Sequence, residues 1–165
     1  MDGFFPSWTR AGKMERKVAL SQKRASDKAS AEAAADWKAL QDFVGGSQLQ
    51  ALRDYCRGEE GNYFRDKLRE YGERISTMPK TYEKDGQGDA AIVHLHYFVG
   101  GCDWWIIERD SDPDGEGQIQ AFGIADLGHG GELGYINIPE ILKHGAELDL
   151  HFAPIQKGTL FAAAG

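Results

Sequence analysis

A chain of 165 residues with 41% hydrophobic and 11% aromatic content can bury one substantial core, which excludes global disorder. Its formal charge of −7 is unevenly spread: residues 85–165 hold 3 Lys+Arg against 13 Asp+Glu (net −10), while residues 1–84 hold 16 against 13 (net +3). A field of that sign repels nucleic acid from the C-terminal half and draws that half towards basic surfaces.

No apolar run approaches the roughly 20 residues that span a bilayer. The start, MDGFFPSWTR, lacks the charged opening and apolar core of a secretory signal. Cys56 and Cys102 lie far apart without metal spacing and read as reduced thiols. The expectation is a soluble cytoplasmic protein without a membrane partner and without a cofactor.

In chain order, Phe4, Phe5 and Trp8 are aromatics without period, a tail or a hydrophobic anchor. Residues 10–36 are rich in Ala, Lys, Arg and Glu, with few large apolar residues beyond Met14, Val18 and Leu20. That composition predicts a basic, solvated or loose helix over 1–36. Arg10, Lys13, Arg16, Lys17, Lys23, Arg24 and Lys28 are its phosphate-contacting candidates.

A helical region spans 37–80. Trp37, Leu40, Phe43 and Val44 share one face, and Gly45-Gly46 ends that helix. Ser47 is the expected cap of a second helix, which buries Leu49, Leu52 and Cys56. A third, from about Glu60, carries Phe64, Leu68, Tyr71 and Ile75 at i, i+4, i+7 and i+11 and stops at Met78-Pro79.

The grammar changes at about residue 81. AIVHLHYFV reads as a strand with Val93, Leu95 and Tyr97 inward and His94, His96 and Phe98 outward. Gly100-Gly101 turns it into CDWWIIERD, and QIQAFGIAD makes a third strand. LGHGGELG reads as a glycine-rich connection to YINI, and Pro139 opens the short helix PEILKHG. ELDLHF alternates, placing Leu148, Leu150 and Phe152 opposite Glu147, Asp149 and His151; the tail after Pro154 reads as loose. The class is therefore α+β: a helical N-terminal half packed on an antiparallel sheet of four to five strands, in an acidic region 81–165 with one short helix.

Three features bear on chemistry. Asp110, Asp112 and Asp114 with Gly115 resemble the opening of a calcium loop, but Ala121 stands where a bidentate Glu is needed, so a crowded acidic hairpin is the alternative. His94 and His96 share a strand face and, with Glu108 and His151, are candidates for a metal or acid–base site. Trp104 and Trp105 point to opposite faces, so one belongs to the core and Trp105 is a candidate partner anchor.

Residues 91–154 resemble a bacterial family of unknown function found in proteins of plasmids, phages and integrated elements. The resemblance rests on the Trp104-Trp105 strand, the acidic hairpin, Ala121-Phe122-Gly123 and Asp126-Leu127-Gly128. Glu132-Leu133-Gly134-Tyr135 and the closing Glu147-Leu148-Asp149-Leu150-His151-Phe152 with Pro154 are its most specific parts; the family often has Arg where this chain has Leu148. It carries no catalytic residues over and implies a context, a small accessory protein of a mobile element working in a bacterial cytoplasm.

The leading expectation is an interaction protein of the anti-CRISPR or antirestriction kind. Its acids Asp110, Asp112, Asp114, Glu116, Asp126 and Glu132 would meet the basic channel of a host nucleoprotein complex. The alternatives are a small metal-dependent hydrolase on the His94/His96/His151 face, a nucleic-acid-binding accessory using the basic helix, and an acidic surface that only confers solubility. Direct nucleic-acid binding is opposed by the acidic half. Self-association through Trp8, Phe4 and Phe5 is also open.

Overall fold

A computed structural model describes residues 6, 8–84 and 86–162, so Phe4 and Phe5 lie outside the described residues. The chain comprises two units, residues 1–35 and 36–165. Helix α1 (Arg10–Gln41) runs through the boundary between them. The Thr9 hydroxyl caps it by accepting from the Gly12 amide at 3.0 Å. From Lys13 to Ala35 every residue is exposed, as a stretch so poor in large apolar side chains requires. High intrinsic propensity holds it helical, helped slightly by Lys28 and Glu32 at 3.7 Å.

In the second unit the last turn of α1 buries Leu40 against α2 (Gly46–Arg57) and α3 (Gly61–Thr77). Ser47 is not the cap of α2; the helix begins two residues earlier than that cap would place it, with Gly45 as N-cap and no side-chain cap bond. The predicted stripe on α3 holds: Leu68, Tyr71 and Ile75 are buried and Phe64 packs beside them. Gly72 lets α3 approach α1, since a Cβ there would strike Asp36.

The strands are β1 (Ile92–Val93), β2 (Leu95–Val99), β3 (Cys102–Glu108), β4 (Ala121–Asp126), β5 (Gly131–Ile136), β6 (Glu147–Leu148) and β7 (Ile155–Gln156). Five form an antiparallel sheet in the order β5-β4-β3-β2-β6, and β1 pairs with β7 in a separate ribbon. The class is α+β, as the sequence predicts. A 3-10 turn (Gly88–Ala90) precedes β1, and helices α4 (Ile138–Lys143) and α5 (Lys157–Ala162) accompany the strands. The stretch after Pro154, expected to be loose, supplies β7 and α5 instead.

One sheet face, with Leu95, Tyr97, Trp104, Ile106, Ile136 and Leu148, packs on the helices. The other carries a smaller cluster of Ala91, Val93 and Ile107, with Trp105, Phe152, Ile155 and Leu160 against it. The expected single strand 91–99 is split at His94, which sends Val93 to this second cluster while Leu95 and Tyr97 stay in the first. A register shift between Ile106 and Glu108 buries Ile106, Ile107 and Glu108 in succession, which strict alternation forbids.

Other departures have polar causes. The expected third strand begins only at Ala121, because Gln118 and the Gln120 amide are tied to Asp110. The expected glycine-rich connection is mostly strand: Asp126 accepts from the Gly128 and Gly130 amides and closes a tight hairpin, so β5 starts at Gly131. ELDLHF stays extended for two residues, then turns; Leu148 enters the main core and Phe152 the second cluster.

Gly123 is the tightest point of the sheet. A Cβ there would fall on the Trp105 carbonyl oxygen and close to the Ile106 Cα, so nothing flexible can yield. Gly123→Ala is expected to destabilise the fold by about 3 kcal/mol or more, read as a lowered urea midpoint at unchanged slope.

Candidate functional site

The acidic loop is built from its own backbone. Asp110 is buried, accepting the Asp112 amide on Oδ1 (2.9 Å) and the Gln120 amide on Oδ2 (2.9 Å). Asp112 is half-buried with φ +49° and accepts the Gly117 amide at 2.9 Å. Of the predicted partner-binding acids, Asp110, Asp112 and Asp126 thus serve to close turns, and Asp114, Glu116 and Glu132 are exposed. The calcium resemblance gains no support, because no group of three or more His, Cys, Asp or Glu among the described residues could hold a metal ion.

Trp105 is not a free anchor. Its ring stacks on His96 at 5.3 Å and 16° and meets Phe161 of α5 edge-on. The exposed aromatic surface lies further along the same face, on β4 and β5. Leu133 and Tyr135 are 55% and 57% exposed and Tyr82 is 66% exposed. The Tyr82 and Tyr135 hydroxyls are hydrogen-bonded at 2.8 Å, and Phe122 packs edge-on against Tyr135. Tyr82 sits at φ +72°, costly for a side chain with a Cβ, and its amide donates to the buried Glu108 carboxylate at 3.1 Å. A recess of about 220 Å³ joins Tyr82 and Ile119 to Asp112, Asp114 and Glu116, so the aromatic face runs into the acidic loop. Sequence reading missed Tyr82 because it lies between the third helix and the first strand with no periodic signal, and missed the pairing of Leu133 with Tyr135 as a surface because the expected strand YINI starts at Tyr135.

The histidine face is organised differently from the expectation. His96 is held between two carboxylates, with Nδ1 3.0 Å from Asp149 Oδ2 and Nε2 2.7 Å from Asp103 Oδ1. Ionised carboxylates only accept, so both contacts are hydrogen bonds when each ring nitrogen carries a proton. Glu108 is turned to Tyr82, and His151 is exposed, its amide donating to Asp149 Oδ1. Among the described residues no group of three or more His, Cys, Asp or Glu side chains is placed to hold a metal ion. Among them, too, no helix is long and apolar enough to cross a membrane.

With this geometry in view, comparison with known proteins adds no kinship: no family model, curated protein or solved structure matches the chain.

Two titrations follow from the site. Burial, then the charges of Arg74 and Lys84, push the His94 imidazole below its ordinary 6.5. Burial would raise the Asp149 carboxyl, but bonds from the His96 ring and the His151 amide, with the charges of both histidines, outweigh it and hold the group below 3.8. His94 therefore withholds nothing from stability above pH 6.5. As the pH falls below that value the unfolded chain takes a proton that the folded chain resists, and stability drops. Asp149 contributes above pH 3.8, and that contribution is lost as the pH falls through its lower folded value. Urea midpoints measured from about pH 7 to 5 are expected to fall less for His94→Gln than for the unaltered protein.

Proposed function

We propose that this chain is an accessory protein of a bacterial mobile element that acts by protein–protein contact, docking on a basic surface of a host nucleoprotein defence complex. The observation that carries the reading is the adjacency of displayed acids to displayed aromatics. Asp114 and Glu116 line one recess with Tyr82, and Tyr82 is bonded to Tyr135 of β5, the strand whose opposite face carries Glu132. Aromatic side chains supply contact area at low entropic cost, and the surrounding acids supply orientation and rapid encounter. A surface of acids alone would serve solubility; exposed Leu133, Tyr135 and Tyr82 add nothing to solubility and favour a partner.

A second reading, nucleic-acid contact through α1, has one supporting observation: Arg10, Lys13, Arg16, Lys17, Lys23, Arg24 and Lys28 are all exposed on a single helix. A sharp loss of DNA retardation on removing residues 1–35 is the result that would favour it.

The docking reading is tested with tagged full-length protein in bacterial lysate. A stoichiometric nucleoprotein complex is expected at low salt and is expected to be released at moderate salt. Asp114→Lys, Glu116→Lys and Glu132→Lys combined should reduce capture at least about tenfold without altering the circular dichroism spectrum. Capture unchanged by both salt and the triple variant would remove the acidic surface from the function.

A further inference from the structure

We propose, resting on the docking reading above, that the partner adds an extended segment to the outer edge of β5, its basic side chains alternating with apolar ones.

The two ends of the sheet are treated differently. At the β6 end the side chain of Gln48 in α2 stands in for a further strand. Its Nε2 donates to the Leu148 carbonyl at 2.8 Å and its Oε1 accepts the Leu148 amide at 2.9 Å. That edge is two residues long and is covered. At the other end β5 runs for six residues, and β4 is the strand it pairs with among the described residues, in regular register from Ala121↔Ile136 to Asp126↔Gly131. Sheet edges are normally guarded by charged side chains, Lys above all, by Pro, a bulge or a covering element, and on β5 the charge is the single Glu132. The segment Gly131–Ile136 has no Lys or Pro, and its pairing with β4 has no register shift.

The alternation of β5 describes what would lie beside it. Leu133 and Tyr135 are on one face and Glu132 is on the other, with Gly134 next to it in the same row. An added strand therefore meets apolar atoms on one face and a carboxylate on the other. On the apolar face a recess of about 430 Å³, walled by Ile124, Leu133 and Phe161, is large enough for a side chain of that strand. Among the described residues lining that recess, the cation is Lys157, already paired with Asp89 at 3.3 Å. Charge decides the occupant. Glu132 lies in a half of net −10, with Asp126 paired across from Gly131. A second copy of this chain would bring the same acids to the same edge and be repelled, whereas a basic segment is attracted.

The test uses the full chain, labelled with 15N, and a synthetic peptide of alternating Lys and Val, seven residues long. The expected result is movement of the Gly131–Ile136 amide resonances on addition of the peptide. Only alternate peptide amides face β5 in a strand pair, so N-methylating one alternate set should abolish binding and methylating the other should leave it. Glu132→Lys should weaken the parent peptide about tenfold, as loss of a charge contact does.

Three results would overturn strand addition. If both methylated peptides bind as the parent does and resonances move only in the 110–116 loop, contact is by charge alone, and the docking reading survives. If the parent peptide does not bind at low salt, strand addition fails while lysate capture still judges the docking reading. If sedimentation shows a dimer that Leu133→Lys dissolves, the edge belongs to a second copy.

Discussion

Asp149 ties together the elements on which the sheet depends. Its amide donates to the His96 carbonyl at 2.9 Å and its carboxylate takes the His96 ring, which reaches on to Asp103 of β3. Its carbonyl accepts the Tyr71 hydroxyl at 2.6 Å, so α3 is pinned to the same residue. Tyr71 is fully buried, and Arg74 stacks on its ring at 4.2 Å while donating to the Phe152 carbonyl. A turn that leaves the sheet carries backbone groups that must find partners, and here α3 and β2 provide them. Without that turn, Leu148 and Phe152 would lie on one side of a continuous strand; with it, one enters each cluster.

The same accounting of backbone groups separates the sheet's two ends. Gln48 satisfies Leu148 at one end, whereas β5 ends the sheet at the other with exposed Leu133 and Tyr135. A fold under selection only for stability and solubility gains nothing from that asymmetry. That asymmetry is the observation from which the proposed strand addition is argued. The strained Tyr82, braced by Glu108 and Tyr135, extends this surface towards the displayed acids Asp114 and Glu116.

Much of the candidate site was illegible in the sequence for a specific reason. Aspartates near glycines are equally suited to binding a partner and to closing a turn, and only the positions of nearby amides distinguish the two. Asp110, Asp112 and Asp126 have such amides within 3.2 Å, while Asp114 and Glu116 are exposed. The histidines met the same ambiguity. His94 and His96 share a strand face by spacing, yet the return of Asp149 commits His96 to a carboxylate pair.

Composition and periodicity by themselves determined the α+β class, the helical stripe Leu68, Tyr71 and Ile75, the antiparallel strands and the acidic bias of the C-terminal half. These depend on local propensity and on which side chains leave water, and both are written residue by residue. The break at His94, the second cluster beneath α5, the cover on β6 and the place of β5 at the end of the sheet were decided only by tertiary structure. Each depends on a contact between residues distant in sequence, as Gln48 with Leu148 and Tyr71 with Asp149 are, and no local pattern encodes which distant group arrives.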